Sequence, residues 1–232
     1  MNRTRTYRPV PLALIGLVAL FSALLALAFS GDRDAAAHGG HALAAAPHGT
    51  VVTSSELAFR NDMRRLWEDH VTWTRLAIIS LTTDSPDTDA TVGRLLRNQT
   101  DIGDAIKPFY GDESGAELTR LLRDHILIAA DLVAAAKDGD AGGIADAQAR
   151  WVANADEIAG FLAGANPRAW PLDEMKDMLH DHLELTTNEA LARLHGDWDA
   201  DVAAYDAIHL QALGMADMLA TGIVEQFPQR FR

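Results

Sequence analysis

The chain has 232 residues, no cysteine, and 33 acidic against 20 basic residues, a formal net charge of −13. That sign argues against nucleic acid as a partner, and the missing cysteine excludes disulfides and a lipid-modified cysteine. Neither a Gly-rich phosphate loop nor a Gly-x-Ser-x-Gly elbow occurs, so the motif-borne nucleotide and hydrolase chemistries are not indicated.

Residues 1–37 read as a signal peptide or membrane anchor. Arg3, Arg5 and Arg8 precede an uncharged run from Pro9 to Gly31, and Ala35-Ala36-Ala37 offers a small-residue cleavage site. Left uncleaved, the run is long enough to span a bilayer with its arginines on the cytoplasmic side. The expected location is therefore extracytoplasmic, secreted or membrane-anchored. Residues 38–54 form a His/Gly/Ala-rich linker; cleavage after Ala37 would leave an amino-terminal His38, with His41 and His48 nearby, a pattern able to chelate copper.

From residue 55 to 232 a helical period takes over. Three Asp-His pairs, Asp69-His70, Asp124-His125 and Asp181-His182, recur at intervals of 55 and 57 residues. Apolar residues surround each histidine at helical offsets: Met63, Leu66, Trp67 and Trp73; Leu118, Leu121, Leu122 and Ile128; Met175, Met178, Leu179 and Leu185. Thr53 with Glu56 and Ser114 with Glu117 have capping-box spacing, and Pro171 suits a first helical position. Turn chemistry follows each histidine helix at Asp84-Ser85-Pro86-Asp87, Asp138-Gly139-Asp140 and Gly196-Asp197. Lys107-Pro108, Asn166-Pro167 and Phe227-Pro228 close the second helices.

Those second helices align as Arg94–Ile106, Arg150–Leu162 and Tyr205–Asp217, which puts Asn98, Asn154 and His209 in one column. The unit is a helix pair, and the chain reads as an all-α six-helix bundle of three repeated αα-hairpins, about 55–111, 112–167 and 168–232. Members of each pair lie at similar distances from their turns. His70, Asn98, His125, Asn154, His182 and His209 are thus expected to form a polar layer across the core.

The strings Leu66-Trp67-Glu68-Asp69-His70, Asn98-Gln99-Thr100-Asp101-Ile102-Gly103, Ile106-Lys107-Pro108-Phe109-Tyr110-Gly111 and Ala216-Asp217-Met218-Leu219 resemble an exported all-helical, functionally uncharacterised family of Gram-positive bacteria. The similarity runs from about Leu57 to Phe231. It implies export and a helical fold, and carries over no catalytic residue.

The chemistry of the layer has three readings. Imidazoles from separate helices are suited to Zn, Cu or Fe, with His70, His125, His182 and His209 as ligands. The adjacent aspartates, about 100° round the helix, would be rim charges. Asn98, Asn154 and Asp206 are candidate ligand-binding neighbours; Asp206 with His209 has the i, i+3 spacing of a di-iron bundle, though Asp177, His180, Glu157 and Glu189 do not complete that set. The second reading is a structural network that fixes helix register, and the third a small-molecule pocket. Trp67, Trp73, Trp151 and Trp170 are expected in the core, and Arg94 and Arg150 in salt bridges at the layer's edge. A binding or scaffold module is thus expected, with a metal-dependent redox or hydrolytic enzyme as the alternative.

Overall fold

The computed structural model describes residues 52–232. The expected export segment and nearly all of the linker, His38, His41 and His48 included, lie outside the described residues. Within them the chain forms six α-helices and no strand: α1 (Ser54–Thr83), α2 (Thr88–Tyr110), α3 (Asp112–Asp138), α4 (Ala141–Ala165), α5 (Leu172–His195) and α6 (Trp198–Gln226), closed by a short 3-10 turn, Pro228–Phe231.

The helix ends follow from local chemistry. Thr53 caps α1 by accepting a hydrogen bond from the Glu56 amide. The histidine-bearing helices α1, α3 and α5 all stop in the same way, at a left-handed residue: Asp84, Gly139 and Gly196. The next amide then donates back to Ser80, Ala135 and Ala192 respectively, closing the last carbonyls of each helix. Asp84 is the one non-glycine at positive φ among the described residues, a conformation that aspartate tolerates better than most side chains.

Three expected boundaries are corrected. Ser114 lies inside α3, which starts two residues earlier, after Gly111. Pro171 is the residue before α5, not its first helical residue. Pro108 does not close α2, which runs on to Tyr110; a proline in the last turn forfeits a single backbone bond, and Gly111 at φ 89 ends the helix instead.

Successive helices pack side by side, and α6 returns to α1, so the six close into a ring. Further contacts join α1 to α3 and to α5 across the middle. The helices bearing the histidines therefore form the inner set. Apolar residues at the seven-, four- and three-residue offsets before each histidine, among them Met63, Leu118, Met175, Trp67 and Leu179, are buried in one continuous core, with Met178 partly buried against it. Among the described residues α6 alone is long and apolar enough to cross a membrane by composition, but 44% of that window is already buried against the bundle.

The single-residue link at Gly111 folds α3 tightly back on α2. Gly103 and Gly115 meet there: a Cβ on Gly103 would stand 2.5 Å from the Gly115 carbonyl oxygen, and one on Gly115 2.7 Å from that of Gly103. Backbone cannot yield as a flexible side chain does. Gly103→Ala should therefore cost about 1–3 kcal/mol as the helices are forced apart. Gly93→Ala, whose Cβ meets nothing within 4 Å, should be neutral or stabilising by up to about 1 kcal/mol. Denaturant unfolding of the two variants checks the contrast.

Candidate functional site

His70, His125 and His182 come from α1, α3 and α5 and meet near the bundle axis. Each is 5% exposed. The ring centroids of His70 and His182 are 5.9 Å apart, and those of His125 and His182 6.2 Å. Trp67 flanks His70 at 5.5 Å, and Trp151 flanks His125 at 5.2 Å.

A carboxamide on the second helix of its own hairpin holds each ring. His125 Nδ1 donates to Asn154 Oδ1 at 2.8 Å, and His182 Nδ1 donates to Gln211 Oε1 at 3.0 Å. The amide nitrogens are anchored in turn: Asn154 Nδ2 donates to the Leu121 carbonyl, and Gln211 Nε2 to that of Met178, each four residues before the histidine. This anchoring sets which way each amide points. His125 and His182 consequently carry their proton on Nδ1, leaving the Nε2 lone pair free.

The first hairpin divides the task between two residues. Asn98, fully buried, donates to the Leu66 carbonyl at 3.0 Å, while Gln99 places Nε2 3.2 Å from His70 Nδ1. Gln99 Nε2 also lies 2.9 Å from Leu95 O and 3.1 Å from Asn98 Oδ1, so its two hydrogens are shared among three acceptors, His70 Nδ1 included, while its Oε1 is buried without a partner.

Each histidine and its amide are 29 residues apart: His70 with Gln99, His125 with Asn154, His182 with Gln211. The expected column of Asn98, Asn154 and His209 thus holds at Asn154 and at Asn98, which is buried in the layer and makes the same backbone anchor as Asn154 while Gln99 faces the ring, and is two residues early in the third hairpin. Two residues along an α-helix turn the side chain by about 200°. His209 accordingly lies on the outer side of α6, 2.8 Å from Glu68 and beside Tyr205, and Asp206 is exposed. Neither joins the axial cluster. The signal for Gln99 and Gln211 was present, since counting 29 residues from any of the three histidines lands on a carboxamide.

The rim behaves largely as expected. Asp69 pairs with Arg94, Asp124 with Arg120, and Arg150 with Asp131 and Asp146. A buried charge network escaped the sequence reading. Arg75 of α1 bonds Glu189 of α5 at 2.8 Å and Asp201 of α6 at 2.9 Å, and Arg193 also reaches Asp201 at 3.1 Å. Both carboxylates are 1% exposed. Arg75 and Arg193 stack on Tyr205 and Trp198. Glu189 stands seven residues after His182, the offset that Ala77 and Leu132 fill with apolar side chains in the other hairpins; a charge in that column was the available clue.

Two apolar cavities lie on either side of the histidine layer. One, of about 50 Å³, is walled by residues one turn toward the hairpin turns, including Thr74, Ala129 and Thr186. The other, of about 40 Å³, is walled by residues one or two turns the opposite way, including Met63, Leu118 and Leu179. Among the described residues no group of three His, Cys, Asp or Glu stands at metal-ligating geometry. No family model, no curated protein and no solved structure matches the chain.

Burial pushes His70 and His125 down to about 3, with the neighbouring imidazoles adding to the effect, and lowers His182 as well. Burial also pushes Glu189 up to about 7, against the pull of Arg75. Below an unfolded pKa near 6.5 the unfolded chain therefore binds about two protons that folded His70 and His125 refuse, with His182 acting in the same direction, while between about 4.5 and 7 folded Glu189 holds one that the unfolded chain does not. The histidine contribution is complete above 6.5 and is lost as pH falls toward 3. The net uptake on unfolding, about one proton near pH 5.5 from His70, His125 and Glu189 with His182 adding to it, means that stability should fall by roughly 1–2 kcal/mol between pH 6 and 5. Denaturant unfolding across that range measures it, and Glu189→Gln should steepen the fall.

Removing Arg75 would leave Glu189 and Asp201 buried with only Arg193 as counter-charge. Arg75→Ala should cost about 3–5 kcal/mol, far more than the loss of an exposed pair such as Arg65–Asp62. Thermal unfolding at neutral pH compares the two.

Proposed function

We propose that the chain is an extracytoplasmic helical binding module whose receptor is the three-histidine centre, and that its ligand is a transition-metal ion, Zn, Cu or Fe. One observation carries this reading. His125 and His182 each donate Nδ1–H to an amide oxygen that is itself anchored to backbone, the outer-shell arrangement that orients a ligating imidazole and turns its Nε2 lone pair toward a metal. Three imidazoles bound through Nε2 at about 2.0–2.1 Å hold their centroids roughly 5–5.5 Å apart. The His70–His182 and His125–His182 separations of 5.9 and 6.2 Å exceed this by about an ångström or less, so His182 needs only a small shift toward each of its neighbours. Binding through His70 Nε2 further requires the His70 proton on Nδ1 with Gln99 Oε1 turned to accept it, at the loss of the Gln99 Nε2 bonds to Leu95 O and Asn98 Oδ1.

The common 29-residue spacing supports a chain built from three copies of one hairpin. The arginine-flanked apolar run and the resemblance to an exported family support a location outside the cytoplasm, with membrane contact through residues 9–31 if the segment is retained. A metal-dependent enzyme, redox or hydrolytic, uses the same ion with an open coordination position. The cavity bordering the layer favours that second reading, and an exchangeable water on the bound ion would separate it from simple capture.

Titration of metal-free protein with Zn²⁺, Cu²⁺ and Fe²⁺, followed by elemental analysis, tests the proposal. One ion per chain is expected, abolished by His70→Ala, His125→Ala or His182→Ala and unaffected by His209→Ala. Gln211→Leu should weaken binding on the order of 10–100-fold by loosening His182. Protein that stays metal-free with all three ions sinks the reading and leaves the layer as a register-fixing network.

A further inference from the structure

We infer that the surface groove between α3 and α4 binds a linear aliphatic polyamine, a methylene chain carrying an ammonium group at each end. The inference stands whether or not the histidine layer holds a metal. The groove has a volume of about 440 Å³ and an apolar middle, made by Leu127 and Ile128 of α3 and Ala153 of α4. Leu127 is 45% exposed. A leucine this open to water gains from any methylene chain laid across it. Asn154, the partner of His125, also lines the groove.

The charges at the two ends identify the ligand. Asp124 and Asp131 both line the groove from α3, nearly two turns apart, so their side chains share one stripe with a rise of about 10.5 Å between them. Leu127 and Ile128 stand between. At each end the carboxylates outnumber the guanidinium groups. Arg120 bonds Glu117 at 2.7 Å and Asp124 at 2.9 Å, and Glu157, from the α4 side of the groove, also acts on it, so three acids face one arginine. Arg150 bonds Asp131 at 3.2 Å and Asp146 at 2.8 Å, so two acids face one arginine. Both ends thus keep negative charge that no side chain neutralises, while the middle has none. A metal ion would concentrate its charge at one end and leave the leucine wet, and an anion would be repelled at both ends. Two ammonium groups about 10 Å apart match the spacing of the residual charges, and the chain between them covers the apolar floor.

The probe is heptane-α,ω-diamine, whose nitrogens stand about 10 Å apart at ordinary bond lengths. Intact protein with ¹³C-labelled leucine and isoleucine methyls is titrated in the presence of chelator at low ionic strength, where exposed charges are least screened. Saturable shifts at Leu127 and Ile128 are expected, with a dissociation constant on the order of millimolar because every contact is open to solvent. Propane-α,ω-diamine has the same charge but cannot reach both ends, and heptylamine has the same chain but a single ammonium; each should bind about fivefold more weakly. Asp124→Asn and Asp131→Asn should each weaken the diamine by about two- to fivefold. Asp89→Asn, an exposed acid of α2, should leave it unchanged, and Leu127→Lys, which sets an ammonium in the middle of the groove, should abolish it. A response at Leu127 and Ile128 that never saturates overturns the site. Equal affinity for the short diamine, which marks loose counter-ion attraction, overturns the two-ended assignment, and so does equal affinity for heptylamine. Tighter binding of tri-lysine would give the groove to a basic peptide and overturn the polyamine. Because chelated protein is used, failure of metal binding leaves this result untouched.

Discussion

The bundle depends on how three imidazoles are kept hydrogen-bonded at the centre of an apolar core. A buried ring nitrogen without a partner costs more than most single contacts can return. Each ring therefore binds an amide from the facing helix, and each amide binds a carbonyl one turn before the histidine; in the first hairpin Gln99 and Asn98 share these duties. A slide of one residue along either helix would rotate an amide about 100° away and break both bonds. Leucine, isoleucine and alanine in the surrounding layers tolerate such slides far better. Register is thus held by a few polar atoms, and the apolar layers supply the bulk of the stabilisation.

The three hairpins are not equivalent, and the differences give the assembly its order. The first meets its imidazole with an amide nitrogen, whereas the others meet theirs with an amide oxygen. The third places Glu189 where the other two place Ala77 and Leu132, and surrounds it with Arg75, Arg193 and Asp201. Arg75 belongs to α1 and its carboxylates to α5 and α6, so this network ties the last hairpin to the first and helps close the ring. A symmetric set of hairpins could pack in more than one order; a charge cluster satisfied in a single arrangement selects among them.

Much of this was legible in the residues. The 3.6-residue apolar stripe around each Asp-His pair placed the inner helices, Thr53 marked the start of α1, and Asp84, Gly139 and Gly196 marked the turns. The histidine centre followed from its equal placement in three stripes. The facing column failed only in the third hairpin. On α6 small and apolar residues run round most of the helix, so a two-residue slip is equally consistent with the pattern and favours His209 over Gln211. Glu189 and Asp201 were opaque for a different reason. Their burial depends on an arginine more than a hundred residues away in sequence, and no local pattern announces a partner at that distance.

The layer and the cavities belong to one physical problem. Filling a void of about 50 Å³ would return about 1 kcal/mol at roughly 24 cal/mol per Å³, and the wall contains Ala77, Ala129 and Ala190, any of which a larger aliphatic residue could replace. Close-packed cores usually make such replacements. Here the small residues sit one turn or two beyond the histidines, on the helices that carry them. Open space is a cost to folding, and it lies directly beside the imidazole cluster. A purely structural layer does not require it, whereas rings that must shift to receive a ligand require room to move.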